Sequence, residues 1–72
     1  MRLSQRFLAQ IRQYAALEQQ LSRDYSEMVI TISVNEEARL VEAGVAPADA
    51  LQMVNSALAQ NVTRFPVQLS ES

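Results

Sequence analysis

From Leu3 to about Tyr25 the apolar residues fall at Leu3, Phe7, Ile11, Tyr14, Leu17, Leu21 and Tyr25, in steps of three or four. That spacing predicts one long amphipathic helix with its apolar residues on a single stripe. Ser4 stands where an N-cap is wanted, and no Gly or Pro interrupts the run. The opposite face carries Gln5, Ala9, Arg12, Ala16, Gln19 and Arg23. A stripe of this kind has to lie against something. The plainer reading packs it on the rest of the chain or on a symmetry mate. The functional reading presents Phe7, Ile11, Tyr14 and Leu21 to the groove of another protein. A membrane-surface helix fits less well, because the polar face is rich in Gln and short of cations.

The pattern changes after a polar break at residues 24–27. Met28-Val-Ile-Thr-Ile-Ser-Val34 is β-branched and alternating, with Ile30, Ile32 and Val34 on one side and Val29, Thr31 and Ser33 on the other. Alternation of that kind predicts a short strand. A lone strand leaves its ladder groups unpaired, so its mate is expected in a second chain, in the C-terminal tail or on an edge of another protein. Asn35 then serves as an N-cap with Glu36 and Glu37 in the first turn of a short helix. Ala38, Leu40 and Val41 supply the buried side of that helix. Gly44 ends it in the left-handed cap position, and Pro47 opens a second helix. Leu51, Val54 and Leu58 carry that helix to about Gln60. The tail alternates weakly through Phe65, Val67 and Leu69, and Pro66 would confine any strand there to an edge. Asn61-Val62-Thr63 matches a glycosylation sequon, a triplet common enough by chance to carry no weight.

Composition narrows the possibilities. Seventy-two residues make one small domain, read as a helix over 1–27, a strand-helix-helix unit over 28–60 and a tail over 61–72. A domain of this size buries only about 60% of the surface its unfolded chain exposes. Cys and His are both absent, so neither disulfides nor a zinc site can supply the missing stability. With 49% apolar residues, association with a second copy or another protein is the expected remedy. Charge is unevenly spread. Residues 1–23 carry four Arg against one Glu, whereas residues 24–72 carry two Arg against seven acidic side chains. The longest apolar run is far short of a bilayer span, and no continuous apolar segment marks a secretory signal. The Arg-bearing N-terminal stretch is superficially like a transit peptide, but removing it would leave too little chain to fold. A cytoplasmic setting is expected.

Catalytic chemistry is scarce. Without Cys or His there is no thiol nucleophile and no Ser–His pair, and one glycine cannot build a phosphate-cradling loop. Glu36, Glu37 and Glu42 read as a solvated helix surface rather than an acid–base pair. No enzyme, metal or cofactor is expected.

A strand followed by two helices resembles the ribbon-helix-helix family. The corner Gly44-Val-Ala-Pro47-Ala-Asp49-Ala50-Leu51-Gln-Met53-Val54 is similar to the entry to the second helix of its RelB/DinJ-type antitoxins, and Arg64-Phe65-Pro66-Val67 to the segment that follows. The resemblance implies a homodimer with an intermolecular ribbon. Its core would hold Ile30, Ile32, Val34, Leu40, Val41, Leu51, Val54 and Leu58, while Val29, Thr31 and Ser33 would face DNA. That outward face lacks the Arg, Lys, Asn or Gln usual in the family. The acidic half of the chain also opposes phosphate binding. Leu40-Val-Glu-Ala-Gly44-Val45 with Ala50-Leu51 resembles, in addition, the first corner of ubiquitin-associated domains.

The expectation is therefore a mainly α homodimer: a long N-terminal helix, one short strand and a two-helix corner. Its function would be that of a small non-enzymatic regulator acting by protein–protein binding, as an inhibitor, anti-activator or adaptor. Arg2, Arg6, Phe7, Ile11, Tyr14 and Leu21 are the expected partner-binding residues. A dimeric DNA-binding repressor or antitoxin is the alternative.

Overall fold

The structure, a computed structural model, describes residues 1–61. They form three helices: α1 (Gln5–Leu21), α2 (Ser26–Glu42) and α3 (Pro47–Asn61). No strand occurs among the described residues. The expected tail strand and the sequon both extend beyond them.

α1 starts where its sequence says it should. The Ser4 hydroxyl accepts from the Phe7 N–H at 3.1 Å, meeting one of the donors a helix start leaves unpaired. Ser22 ends the helix in the left-handed region at φ 52°. The chain then turns back on Asp24, whose carboxylate accepts from both the backbone N–H and the hydroxyl of Ser26. Those two hydrogen bonds hold its pKa below the ordinary carboxylate value.

The stretch expected to be a strand is the first half of α2. Asn35, expected to cap a helix, lies in the interior of this one. Two local features make the helix workable for β-branched and hydroxylic residues. The Thr31 hydroxyl donates to the Glu27 carbonyl at 2.9 Å, and the Ser33 hydroxyl to the Val29 carbonyl at 2.6 Å. Both are the i−4 bonds that such side chains make inside helices. The decisive factor is the backbone. A helix closes its own hydrogen bonds, whereas a single strand needs a neighbour to do so. Packing agrees, since Val29, Ser33, Glu36 and Leu40 are all buried and follow one another in steps of 4, 3 and 4. The intermolecular ribbon disappears with the strand, and with it the reason to require a homodimer.

α2 closes in a Schellman arrangement. The Val45 N–H donates to the Leu40 carbonyl at 2.9 Å and the Gly44 N–H to the Val41 carbonyl at 3.0 Å. Gly44 takes φ 104° there, a conformation L side chains rarely adopt. Val45, the residue after it, packs back onto the core. Pro47 is the first residue of α3, where its missing N–H costs nothing.

α1 and α2 form an antiparallel hairpin, with Ser4 against Glu36 at one end and Glu18 against Tyr25 at the other, and α3 packs against both. The core between them is Phe7, Ile11, Val29, Leu40, Ala50, Val54, Ala57 and Leu58, with Leu3, Leu8, Tyr14, Ile32, Val45 and Met53 packed around it.

Candidate partner-binding surface

Two buried carboxylates lock the α1–α2 hairpin, one at each end. Glu18 of α1 accepts from the Tyr25 N–H at the start of α2, at 2.9 Å. Glu36 of α2 accepts from the Ser4 N–H at 2.6 Å and the Ser4 hydroxyl at 3.1 Å, at the start of α1. Each helix thus places an acid against the other's N-terminus, the end at which negative charge is stabilised. Arg39 adds Nε and guanidinium bonds to Glu36 at 3.1 and 2.8 Å, and ties the Arg2 carbonyl at 3.0 Å.

The Glu36 pKa is lowered. The Arg39 hydrogen bond is the main cause, partly opposed by burial and reinforced by both Ser4 donors. A carboxylate with this many donors is a structural clasp and has little capacity left to act as a general base. No group of three potential metal ligands occurs among the described residues.

Sequence reading missed both glutamates as core positions. The signal was there in the spacing: 7–11–14–18 on α1 and 29–33–36–40 on α2 repeat the same 4–3–4 step.

The expected partner-binding residues separate into two groups. Phe7 and Ile11 are buried in the chain's own core, so no partner can reach them. Tyr14 is half-buried and packs on Tyr25, with ring centroids 5.6 Å apart. Arg2, Arg6 and Leu21 are exposed. The expected dimer core is divided as well. Leu40, Val54 and Leu58 are buried within one chain, Ile32 and Leu51 are half-buried, and Ile30, Val34 and Val41 are exposed. The residues expected to face DNA do not share a face, since Val29 and Ser33 are buried and Thr31 is exposed.

Among the described residues, a small pocket of about 420 Å³ beside Arg6, Ile32 and Arg39 opens on the Glu36 clasp, and two larger surfaces could receive another molecule. An open groove of about 800 Å³ lies between α1 and α3, over Leu3, Leu8 and Met53, with Arg2, Arg12 and Asp49 on its rim. Arg12 is already engaged across it, donating to the Asn61 side chain at 3.2 Å.

The other surface is a flank of α2. Ile30, Val34 and Val41 are 40%, 49% and 39% exposed, and their spacing places them on one line along the helix. Scattered exposed apolar residues are ordinary on any protein. Met28, also exposed, is such a case, because a two-residue offset from Ile30 puts it on the far side of the helix. Half-buried Glu37 falls on the same line between Val34 and Val41, so three exposed aliphatic residues share this flank with one carboxylate, a mixed apolar and charged surface of the kind that marks an interaction site. Glu27 and Glu42 stand beside it on the same helix.

No helix among the described residues is long and apolar enough to cross a membrane. Compared with protein-family models, with curated proteins and with solved structures, the chain matches none.

Proposed function

We propose that this chain is a small non-enzymatic regulatory protein that works in the cytoplasm by binding another protein. Its contact surface is the Ile30–Val34–Val41 flank of α2. The supporting observation is a mismatch between the two sides of one helix. The inward side of α2 spends a Ser and a Glu on the core, while three aliphatic residues are left in water on the outward flank. Exposing that area is unfavourable by about 25 cal/mol for each Å² a partner would cover. The fold does not need these side chains for its own core, which is complete without them. An inhibitor, an anti-activator or an adaptor would use such a flank in the same way, by covering or joining a helix of its target.

The test is site-specific photo-crosslinking in the native host. A photoreactive amino acid in place of Val34 should give one discrete adduct, and one in place of Ala16 on the exposed side of α1 should not. Adding Ile30→Gln to the reactive Val34 position should remove the adduct. Equal labelling from both positions, or none from Val34, would refute the assignment.

A further inference from the structure

The chemistry of the expected partner follows from the charges around the α2 flank, and the argument rests on the reading of that flank as a docking face. Glu27 precedes Ile30 by about one turn, Glu37 follows Val34 by about one turn, and Glu42 adjoins Val41. None of the three is ion-paired among the described residues. The one cation of α2, Arg39, is committed to Glu36 and to the Arg2 carbonyl. α3 packs beside α2 and brings Asp49 and no cation. The other described cations, Arg2, Arg6, Arg12 and Arg23, all belong to α1 and the segments next to it. Among the described residues, the charges within and beside the aliphatic line are thus carboxylates alone.

This arrangement selects against a second copy of the chain. Two α2 helices packed antiparallel about a two-fold axis would match Ile30 with Val41. The same register brings Glu37 beside its own symmetry mate and Glu27 beside Glu42, each within a turn along the axis. A seam with only like charges along it is destabilised. Packing the basic α1 surface of one copy on α2 of the next would relieve the repulsion. However, Phe7 and Ile11 are buried, which leaves α1 only the half-buried Leu3 and Leu8 beside α3, where Arg12 is already engaged with Asn61.

We infer that the α2 flank receives a cationic amphipathic helix from a different protein. Apolar side chains spread over about three turns of that helix, at i, i+4 and i+11, seat on Ile30, Val34 and Val41. Lys or Arg on either side of them pair with Glu27, Glu37 and Glu42. The carboxylates speed encounter and select the partner, while the aliphatic line holds it.

The experiment uses the full chain and two synthetic helices of about five turns. Both carry the same leucine stripe, one flanked by Lys and the other by Glu. Binding is followed by fluorescence anisotropy at roughly 50 and 300 mM salt, and the mass of the chain alone by light scattering. The Lys helix should bind about tenfold more tightly than the Glu helix at low salt, the scale of three exposed ion pairs. High salt should narrow that gap. The triple change Glu27→Gln, Glu37→Gln, Glu42→Gln should abolish the preference, and Val34→Gln or Ile30→Gln should weaken both peptides with the helical circular dichroism unchanged.

Equal binding of both helices, binding of neither, or a preference that survives the triple change would overturn the cationic assignment. If Val34→Gln and Ile30→Gln then still weaken whatever binding there is, the docking face stands and only the partner's charge is wrong. If neither change has any effect, the docking face itself fails. A dimer in the absence of peptide, dispersed by Val34→Gln, would make a second copy the occupant and overturn the inference as well.

Discussion

The two sides of α2 are composed in the opposite way to what burial ordinarily selects. The inward line, Val29, Ser33, Glu36 and Leu40, is half polar and fully enclosed, while the outward line, Ile30, Val34, Glu37 and Val41, carries a single polar residue and leaves its three aliphatics exposed. Polar atoms inside are tolerated because each has a defined partner. Ser33 returns its hydroxyl to the carbonyl one turn back, and Glu36 is held by Ser4 and Arg39. Buried polar groups cost stability only when left unsatisfied. The outward residues have no such structural explanation, and that asymmetry is why the flank is assigned to binding. The core side is legible as folding chemistry, and the exposed side is the one we propose for binding.

The largest way to break this contrast is to remove a core aliphatic. Leu40 is fully buried, so Leu40→Ala should cost about 2–5 kcal/mol by urea denaturation. In so small a domain that is enough to unfold much of the population.

Next is the clasp. Glu36→Gln keeps the shape but loses the charge-assisted bonds from Arg39 and Ser4, at a cost of about 1.5–3 kcal/mol. The acid limb of the stability curve gives an independent check. Because the folded carboxyl titrates below its ordinary value of 4.5, the unfolded chain takes up its proton first as pH falls. The Glu36 contribution is therefore complete above that ordinary value and is lost as pH drops through the lower folded one. Thermal midpoints measured from neutral pH downward should fall over that window in the native chain, and the drop should be shallower in Glu36→Gln.

Ser33 tests whether the inward face tolerates bulk. Ser33→Leu introduces an aliphatic side chain where burial is complete, and overpacking should cost about 1–3 kcal/mol. The same denaturation experiment applied to Ser33→Ala should show a loss of only about 1 kcal/mol or less, because the hydroxyl and its local acceptor are a small contribution.

At the far end of the scale lies the outward line. Val34→Gln should change stability by no more than about 0.5 kcal/mol while weakening the peptide. If Val34→Gln destabilised the fold as much as Leu40→Ala, the two sides would not differ in role and the functional assignment would be lost.

Much of the chain could be read directly. Ser4 capping the first helix, Gly44 at the left-handed position and Pro47 opening the last helix all occur as the residues suggest, because each acts through bonds to neighbours a few positions away. The stripe of α1 was partly legible. Phe7 and Ile11 do face inward, but the line continues to buried Glu18 rather than to Leu21, which is exposed. Residues 28–34 were misread for a related reason. Alternating β-branched residues satisfy a strand pattern, and the competing helical line had a Ser and a Glu in it. Hydrophobicity does not count those as core.

What the residues settle by themselves is where each helix stops and turns, since a cap or a Schellman closure needs only the chain within one turn. Which side of α2 is enclosed was decided elsewhere. Glu36 can be buried only because Ser4, thirty-two positions away, meets it with two donors, and Ser33 only because α2 is helical and its own carbonyl ladder lies within reach. The Ser4 donors that allow Glu36 to be buried come from another helix start, and no local pattern along the sequence contains them.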